Sequence, residues 1–370
     1  MNNAGAILQI VPRAPGGRDG VGDYARTLAR CLEKFHDLQT TFVSAAPSAA
    51  AKTEEGYQVL SPLRAVAGGP RLEGYAAIVL HYVNYGFSRR GVPLWLPPVL
   101  RRLRRAGGAR LVTVFHELYA SGSWRQSAFW LGPIQRQIAR SIARISDVSI
   151  VSSEIFREQL ESLAPEARVI VHPVFSNLGE PAFSPAEFAL RDPHRWIICG
   201  GTELIARSLR SFLSAAVLID ELFAPHELFV VGGADNSEIR RALDETRKIH
   251  THYRPEVDAK AASGILAACA FGWIDYFHRP GVPMPAILKS TAFAAFCAHG
   301  VIPVLPHAGE VIALGEDALP GPFSVAPSGQ DLPRESERAT TAQSIHSWYG
   351  RNASSGHLAA TVAGAIRERG

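Results

Sequence analysis

The chain has 370 residues, 47% apolar and 19% charged, a length that suggests two domains and a composition that excludes a disordered polymer. Thirty-eight basic against 34 acidic residues leave a net charge of +4, too small an excess for a dedicated nucleic-acid binder without a recognition module. Cys31, Cys199, Cys269 and Cys297 form no C-x-x-C pair and have apolar neighbours, as buried thiols of a reducing compartment do.

The first apolar run, AILQIVP, reads as a strand that leads through PGGRDGVGDYARTLARCLEKF into an amphipathic helix. Gly16, Gly17, Gly20 and Gly22 allow a tight loop there and let another molecule approach the backbone. A loop at the carboxyl end of a first strand is where open α/β sheets bind ligands. Its backbone N–H groups suit phosphate or sugar hydroxyls, although a plain structural turn also explains the glycines. The spacing GG-x-x-GVG departs from the dinucleotide fingerprint, which argues against a nicotinamide oxidoreductase. Asp19 and Asp23 are candidates for a substrate contact, with Asp23 equally suited to a helix N-terminus.

TTFVSA, YAAIVLHY, ARLVTVFHE, DVSIVSS and ARVIVHPVF follow as strands. Their β-branched content without clean alternation fits a parallel sheet covered on both faces. His81 ends one strand, and Tyr82, Asn84, Tyr85, Arg89 and Arg90 follow it. These residues offer stacking faces and hydrogen bonds for a substrate, or form a loop that merely covers the sheet. His116 ends another strand, with Glu117 behind it. A histidine there can exchange a proton near neutral pH or hydrogen-bond a sugar; a simple strand-end hydrogen bond is the alternative. Arg101, Arg102, Arg104, Arg105 and Arg110 crowd into ten residues. They read either as a solvated helix end or as a contact for an anionic membrane surface. Residues 125–145 read as a helix.

NLGEPAFSPAEFALRDPHR, with little periodicity, reads as a linker. WIICGG then opens a second strand-loop-helix series with Gly200, Gly201 and Thr202, and ELFVVGG repeats it with Gly232 and Gly233. Arg207 and Arg210 follow the first of these loops. Trp273, Asp275, Tyr276 and His278 follow a later strand; His250 and His252 form a pair with weak metal support. The helix KSTAFAAFCAH begins with Lys289, Ser290 and Thr291 and ends at Gly300, a C-terminal cap. Ser290 is either a helix cap or part of a phosphate cradle with Lys289. VIPVLPH is a further strand and GHLAATVAGAIRERG a final helix. The divisions are 1–185, 186–350 and a terminal helix in 351–370 that crosses back to the first domain.

The ordered pieces GGRDGVGDYARTLARCL, LVTVFHEL, ELFVVGG and KSTAFAAFCAHGVIPVLPHAGE resemble the GT-B glycosyltransferases of the retaining, group 1 (family 4) type. The resemblance spans the chain from the glycine loop to about residue 315. It implies an α/β fold of two Rossmann-like domains facing across a cleft. The first domain would hold the acceptor and the second a nucleotide diphosphate sugar of UDP or GDP type. No metal and no tightly bound cofactor are expected, and neither is nucleic acid. The implied function is sugar transfer with retention to a glycan or lipid-linked acceptor, in bacterial surface polysaccharide or glycoconjugate synthesis. The expected location is the cytoplasm, with a peripheral contact at the inner face of the membrane.

In that reading His116, Lys289 and Arg207 are catalytic. Gly20, Gly22, Gly200, Gly201, Thr202, Gly232, Gly233, Lys289, Ser290 and Thr291 surround the nucleotide sugar. Asp23, His81, Tyr82, Asn84, Tyr85, Arg89, Arg90 and Glu117 contact substrate. One departure stands out. The family's E-x7-E glutamates would fall at Ile287 and Ala295, and no Asp or Glu occurs between Asp275 and Glu310. That leaves two alternatives open: a catalytically degenerate scaffold acting as a glycan-binding or regulatory protein, and a sugar-nucleotide epimerase.

Overall fold

The computed structural model describes residues 5–16, 20–48, 51–53, 55–66, 74–120, 127–244, 246, 248–277 and 281–368. Gly17, Asp19 and His278 lie outside the described residues. In chain order the first elements are β1 (Ala6–Val11), α1 (Gly20–His36), β2 (Gln39–Ser44), β3 (Val59–Leu60), α2 (Leu63–Val66), β4 (Ala77–Tyr82), α3 (Asn84–Phe87) and α4 (Leu96–Gly107). Then come β5 (Arg110–Phe115), α5 (Ser127–Ile145), β6 (Val148–Val151), α6 (Glu154–Leu163), β7 (Val169–Val171) and α7 (Pro185–Ala189). The series continues with β8 (Arg195–Cys199), α8 (Thr202–Ala215), β9 (Glu227–Val231), α9 (Ser237–Asp244), β10 (His250–Arg254), α10 (Ala259–Ala268) and β11 (Phe271–Trp273). It closes with α11 (Thr291–Ala298), β12 (Ile302–Leu305), β13 (Ala313–Leu314), β14 (Asp317–Ala318), β15 (Phe323–Ala326), β16 (Gly329–Asp331), α12 (Glu335–Asn352) and α13 (Ser355–Arg367). The chain divides into one unit of Met1–His172 with Ser355–Gly370 and a second of Pro173–Ser354.

The first unit is built on a seven-stranded sheet in the order β3-β2-β1-β4-β5-β6-β7, and every pairing is parallel. All six residues of β4 are buried, which is why its sequence runs apolar without alternating. Helix α1 buries Tyr24, Ala25, Leu28, Ala29 and Leu32 along one stripe, the 3.6-residue spacing of an amphipathic helix. Helix α13 packs against α1. Ser355 Oγ lies 3.3 Å from Cys31 Sγ, and Arg367 donates to the His36 carbonyl at 3.1 Å. The arginine cluster differs in bonding and exposure. Arg104 is half-buried and bonded to the Ile145 carbonyl at 2.7 Å and to Asp147 at 2.5 Å. Arg101, Arg102 and Arg105 are exposed on the same helix.

The second unit carries the order β10-β9-β8-β11-β12-β15-β16. Only β15–β16 in this sheet is antiparallel. Its core stacks Trp196 on Phe271 at 4.8 Å and sets Phe212 edge-on to Trp273 at 5.6 Å. Both indole N–H groups are satisfied, by the Phe223 carbonyl and Ser211 Oγ, as burial requires. The stretch read as a linker contains α7, begun by a Ser184–Glu187 capping box. Next to it Arg191 is buried and donates to the carbonyls of His299 and Gly300 at 2.7 and 2.9 Å. Burial lowers its pKa to about 10. The end of α11 is therefore held by a cation, which suits a helix C-terminus.

The loops after β8 and β9 are pressed together. A Cβ on Gly232, at φ +99°, would sit 2.7 Å from the Gly200 carbonyl oxygen. A Cβ on Gly233 would sit 2.9 Å from Thr202 N and Oγ1. Gly232→Ala should lower unfolding stability by about 1–3 kcal/mol through the strained backbone and the clash. Gly20→Ala, where a Cβ meets nothing within 4 Å, should change it by less than about 1 kcal/mol. Urea unfolding of the two variants checks the contrast; equal midpoints would contradict the packing.

Candidate functional site

Each sheet reverses its winding at one place, between β1 and β4 in the first unit and between β8 and β11 in the second. Ligands of open α/β sheets bind outside the strand carboxyl ends at such switch points.

In the first unit that place holds two histidines. His81 Nδ1 lies 3.2 Å from His116 Nε2, and His81 Nε2 lies 2.8 Å from Gln9 Oε1. Gln9 Nε2 donates to Thr40 Oγ1 at 3.2 Å. The Tyr24 ring stands edge-on to both imidazoles, 4.9 Å from His116 and 6.0 Å from His81. The strands explain the convergence. His81 closes β4, His116 directly follows β5, and β4 and β5 pair in register through Tyr82 and Phe115. Gln9, His81 and Thr40 are buried, and a buried polar group needs a partner. Burial, with the His116 charge adding to it, holds the His81 pKa well below the ordinary histidine value.

The other first-unit candidates spread outward from this pair. Tyr82 is fully buried between Phe115 and Phe87; burial, then Glu117, raises its pKa. Asn84 is buried and accepts from the Tyr85 backbone N–H at 2.9 Å. Tyr85, Arg89 and Arg90 are exposed, and Glu117 is half-buried. Asp23 pairs with Arg26 at 3.0 Å. Gly20 and Gly22 belong to the first turn of α1. Gln9 and Thr40 escape sequence reasoning, although an amide inside AILQIV was a signal that something polar waits for it.

In the second unit Gly200, Gly201, Thr202, Gly232 and Gly233 form the doubled loop described above. Thr202 Oγ1 accepts from Ala234 N at 2.8 Å and keeps its own O–H to donate. Arg207 donates to the carbonyls of Asp275 and Tyr276 at 2.6 and 3.0 Å, with the Asp275 carboxylate 3.8 Å away. A positive charge is thereby fixed at the carboxyl end of β11. Beside it opens a cavity of about 670 Å³ lined by Asp275, Phe277, Met284, His307, Gly309 and Glu310, among others. Glu310 Oε1 accepts from Met284 N at 2.9 Å. Lys289 ends the 3-10 turn Met284–Lys289 that starts at this cavity. Ser290 caps α11, accepting from Phe293 N at 3.3 Å, and Thr291 is exposed.

Ile287 and Ala295, the positions where E-x7-E would stand, are both 0% exposed. Ala295 belongs to α11, which buries every residue after Thr291, and Ile287 to the turn before it; a carboxylate at either position would be buried. Among the described residues one trio, Glu227, His250 and His252, brings ligand-type atoms within 4.8 Å of one another. Glu227 spends its oxygens on Arg195 and, at 3.0 Å, on His252.

No protein-family model and no curated protein matches the chain. Solved structures do. HepE of Anabaena, in complex with UDP and glucose, has a TM-score of 0.59 at 13% identity over 98% of this chain and 99% of its own. The lipopolysaccharide outer core galactosyltransferase WaaB gives 0.53 at 10% identity over 97% and 98%. A UDP-N-acetylglucosamine 2-epimerase homologue from Listeria monocytogenes gives 0.51 at 14% over 98% and 96%. The chain therefore has a GT-B-like fold of two Rossmann-like units, and at these identities the likeness is one of fold.

Buried histidines make this architecture acid-sensitive. His299, wholly buried between Ser263 Oγ and the Ala295 carbonyl at 2.8 Å each, has its pKa lowered to about 4, mainly by burial. His81 shifts the same way. A histidine lowered on folding binds its proton more readily in the unfolded chain. Stability is therefore full above the unfolded value near 6.5 and is lost as pH falls toward about 4. Denaturation midpoints should be flat from pH 8 to about 7 and fall steadily below about 6.5. His299→Gln should flatten part of that slope; an unchanged slope would remove His299 as a contributor.

Proposed function

We propose that the protein is a glycosyltransferase that takes a sugar from a nucleotide diphosphate sugar, of UDP or GDP type, and passes it with retention to a glycan or lipid-linked acceptor. The observation that carries this reading is the second-unit cavity. It opens at the carboxyl ends of the strands, and its lining includes Asp275, whose carbonyl Arg207 holds, and Met284, the first residue of the turn that ends at Lys289. HepE and WaaB share the fold, and UDP accompanies the first of them.

The second unit holds the donor in this reading and the first holds the acceptor. A leaving diphosphate needs its charge neutralised as the anomeric bond breaks. Lys289 and Arg207 supply positive charge, and Ser290 and Thr202 supply hydroxyl donors. The start of α8, after Gly200 and Gly201, supplies backbone N–H groups. Glu310 and Asp275 give the cavity carboxylates that accept hydrogen bonds from ribose or sugar hydroxyls, work the family assigns to its E-x7-E pair. His116, held by His81, orients the transferring sugar. Tyr85, Arg89 and Arg90 meet the acceptor.

Titration of the purified protein with UDP, GDP, ADP, CMP and dTDP by calorimetry tests the reading. Saturable binding of one nucleotide is expected. Lys289→Ala should weaken that nucleotide about tenfold or more, the loss of one charge-assisted contact, and leave the unfolding midpoint unchanged. Unaltered affinity would take Lys289 out of the site. A second reading, a degenerate scaffold that binds glycans, draws on Ile287 and Ala295 being core positions. It is favoured if no nucleotide binds. Isomerised donor without acceptor would point instead to an epimerase.

Among the described residues no helix is long and apolar enough to cross a membrane. We assign Arg101, Arg102 and Arg105 to a peripheral contact with an anionic bilayer, each worth roughly 1 kcal/mol near the surface. Replacing all three by glutamine should weaken sedimentation with phosphatidylglycerol vesicles by roughly 100-fold at low salt. Equal binding by the variant would end this assignment.

A further inference from the structure

We infer that the Thr40–Gln9–His81 chain is a positioning device that fixes which nitrogen of His116 carries the proton, leaving His116 Nδ1 as the accepting atom. The inference rests on the functional reading only for its catalytic consequence; the proton order stands on geometry.

Gln9 Nε2 has hydrogens and faces Thr40 Oγ1 at 3.2 Å. That orientation turns Gln9 Oε1 toward His81 Nε2 at 2.8 Å. An amide oxygen only accepts, so His81 Nε2 carries a hydrogen. His81 is fully buried, and burial keeps it neutral. A neutral imidazole has one N–H and one lone pair, so the lone pair of His81 is on Nδ1. The atom 3.2 Å from that lone pair is His116 Nε2, which must then be the donor. In its neutral form His116 has its lone pair on Nδ1, and on protonation it gains its second hydrogen there. A sugar hydroxyl that meets His116 in the neutral form therefore donates to Nδ1.

The register of the sheet makes this arrangement specific. Gln9 sits on β1, flanked in the sheet by β2 with Thr40 and β4 with His81. Each link is supplied by a different strand, and the last one, after β5, is the only member that lies beyond a strand end. Three strand residues thus convert a choice between two tautomers into a single one.

The test is nitrogen NMR of protein labelled with ¹⁵N-histidine, above the ordinary histidine titration range. The His116 signals are assigned by comparison with His116→Gln. The expected wild-type result is a protonated Nε2 and an unprotonated Nδ1 for both His81 and His116. A protonated His116 Nδ1 in the neutral ring would overturn the inference. Gln9→Met, close in volume but with no acceptor oxygen, should release the order and give His116 a mixture of both forms. An unchanged His116 in that variant would also overturn it. The wild-type reading does not depend on Gln9→Met, so a Gln9→Met protein that fails to fold leaves the proton order tested. Once a donor and acceptor are in hand, Gln9→Met should lower kcat about tenfold or more with KM within about twofold. A shifted tautomer with unchanged kcat would show the chain to be structural only. Absence of any nucleotide binding would defeat the proposed function while leaving the NMR result intact.

Discussion

The first unit carries a run of mutually paired polar side chains through a sheet that is mostly apolar. Gln9 and His81 lie in strands whose neighbours are Ile, Leu and Val, and both are fully buried. Unpaired, each would disfavour folding by about 1–3 kcal/mol. They are tolerable because adjacent parallel strands put their side chains within bonding distance, so that each satisfies the next. The same constraint makes the chain directional. A hydrophobic contact can be shared by any partners of the right size, whereas a run of hydrogen bonds fixes which atom gives and which accepts. Stability and chemical orientation at the switch point are one requirement here.

The second unit meets the corresponding need with backbone. Gly232 and Gly233 let two loops approach so closely that a single methyl group would collide with a carbonyl or amide. Gly200 N donates to the Val231 carbonyl at 3.2 Å, tying the first loop to the end of β9, and Gly232 N donates to the Arg254 carbonyl of β10 at 2.9 Å. Arg207 then joins the helix that follows the first loop to the segment after β11. One unit uses side chains to order a proton and the other uses glycine and arginine to shape a surface of N–H groups and charge. Both do so at the carboxyl edge of a parallel sheet, where strand ends leave side chains and amides unused by the ladder.

The fold was legible because burial on both sides of a parallel sheet leaves a coarse signature. AIVLHY and RLVTVF are mostly apolar and do not alternate, and both became central strands. Strand β10, by contrast, reads HTHYR and is exposed or half-buried; an edge strand needs little apolar content and so announces little. Helix α12 hides for a related reason. It buries Arg338, Ala342, Ile345, Trp348 and Tyr349, a mixture of polar and aromatic residues that masks its period. Of the site, His81 and His116 could be read as strand-end histidines one by one. Their pairing could not, since it depends on strand order, and neither could Gln9, whose partner is 72 residues away.

The missing glutamates follow from what α11 has become. In this chain the helix is TAFAAFCA, with Ala292 to Ala298 buried, and Arg191 holds the carbonyl of its C-cap residue His299. A helix enclosed that completely has no face left to offer a ligand, so a carboxylate at position 295 would be buried without a partner, which is prohibitive. The acidic groups at the cavity come from loop segments instead. Asp275 follows β11, and Glu310 is braced on the Met284 N–H, the first residue of the turn that leads to Lys289. That brace ties the carboxylate to the backbone that ends at the lysine. A site carried on loops needs such ties to be as well ordered as one carried on a helix, and they are what allow the helix itself to be given over to the core.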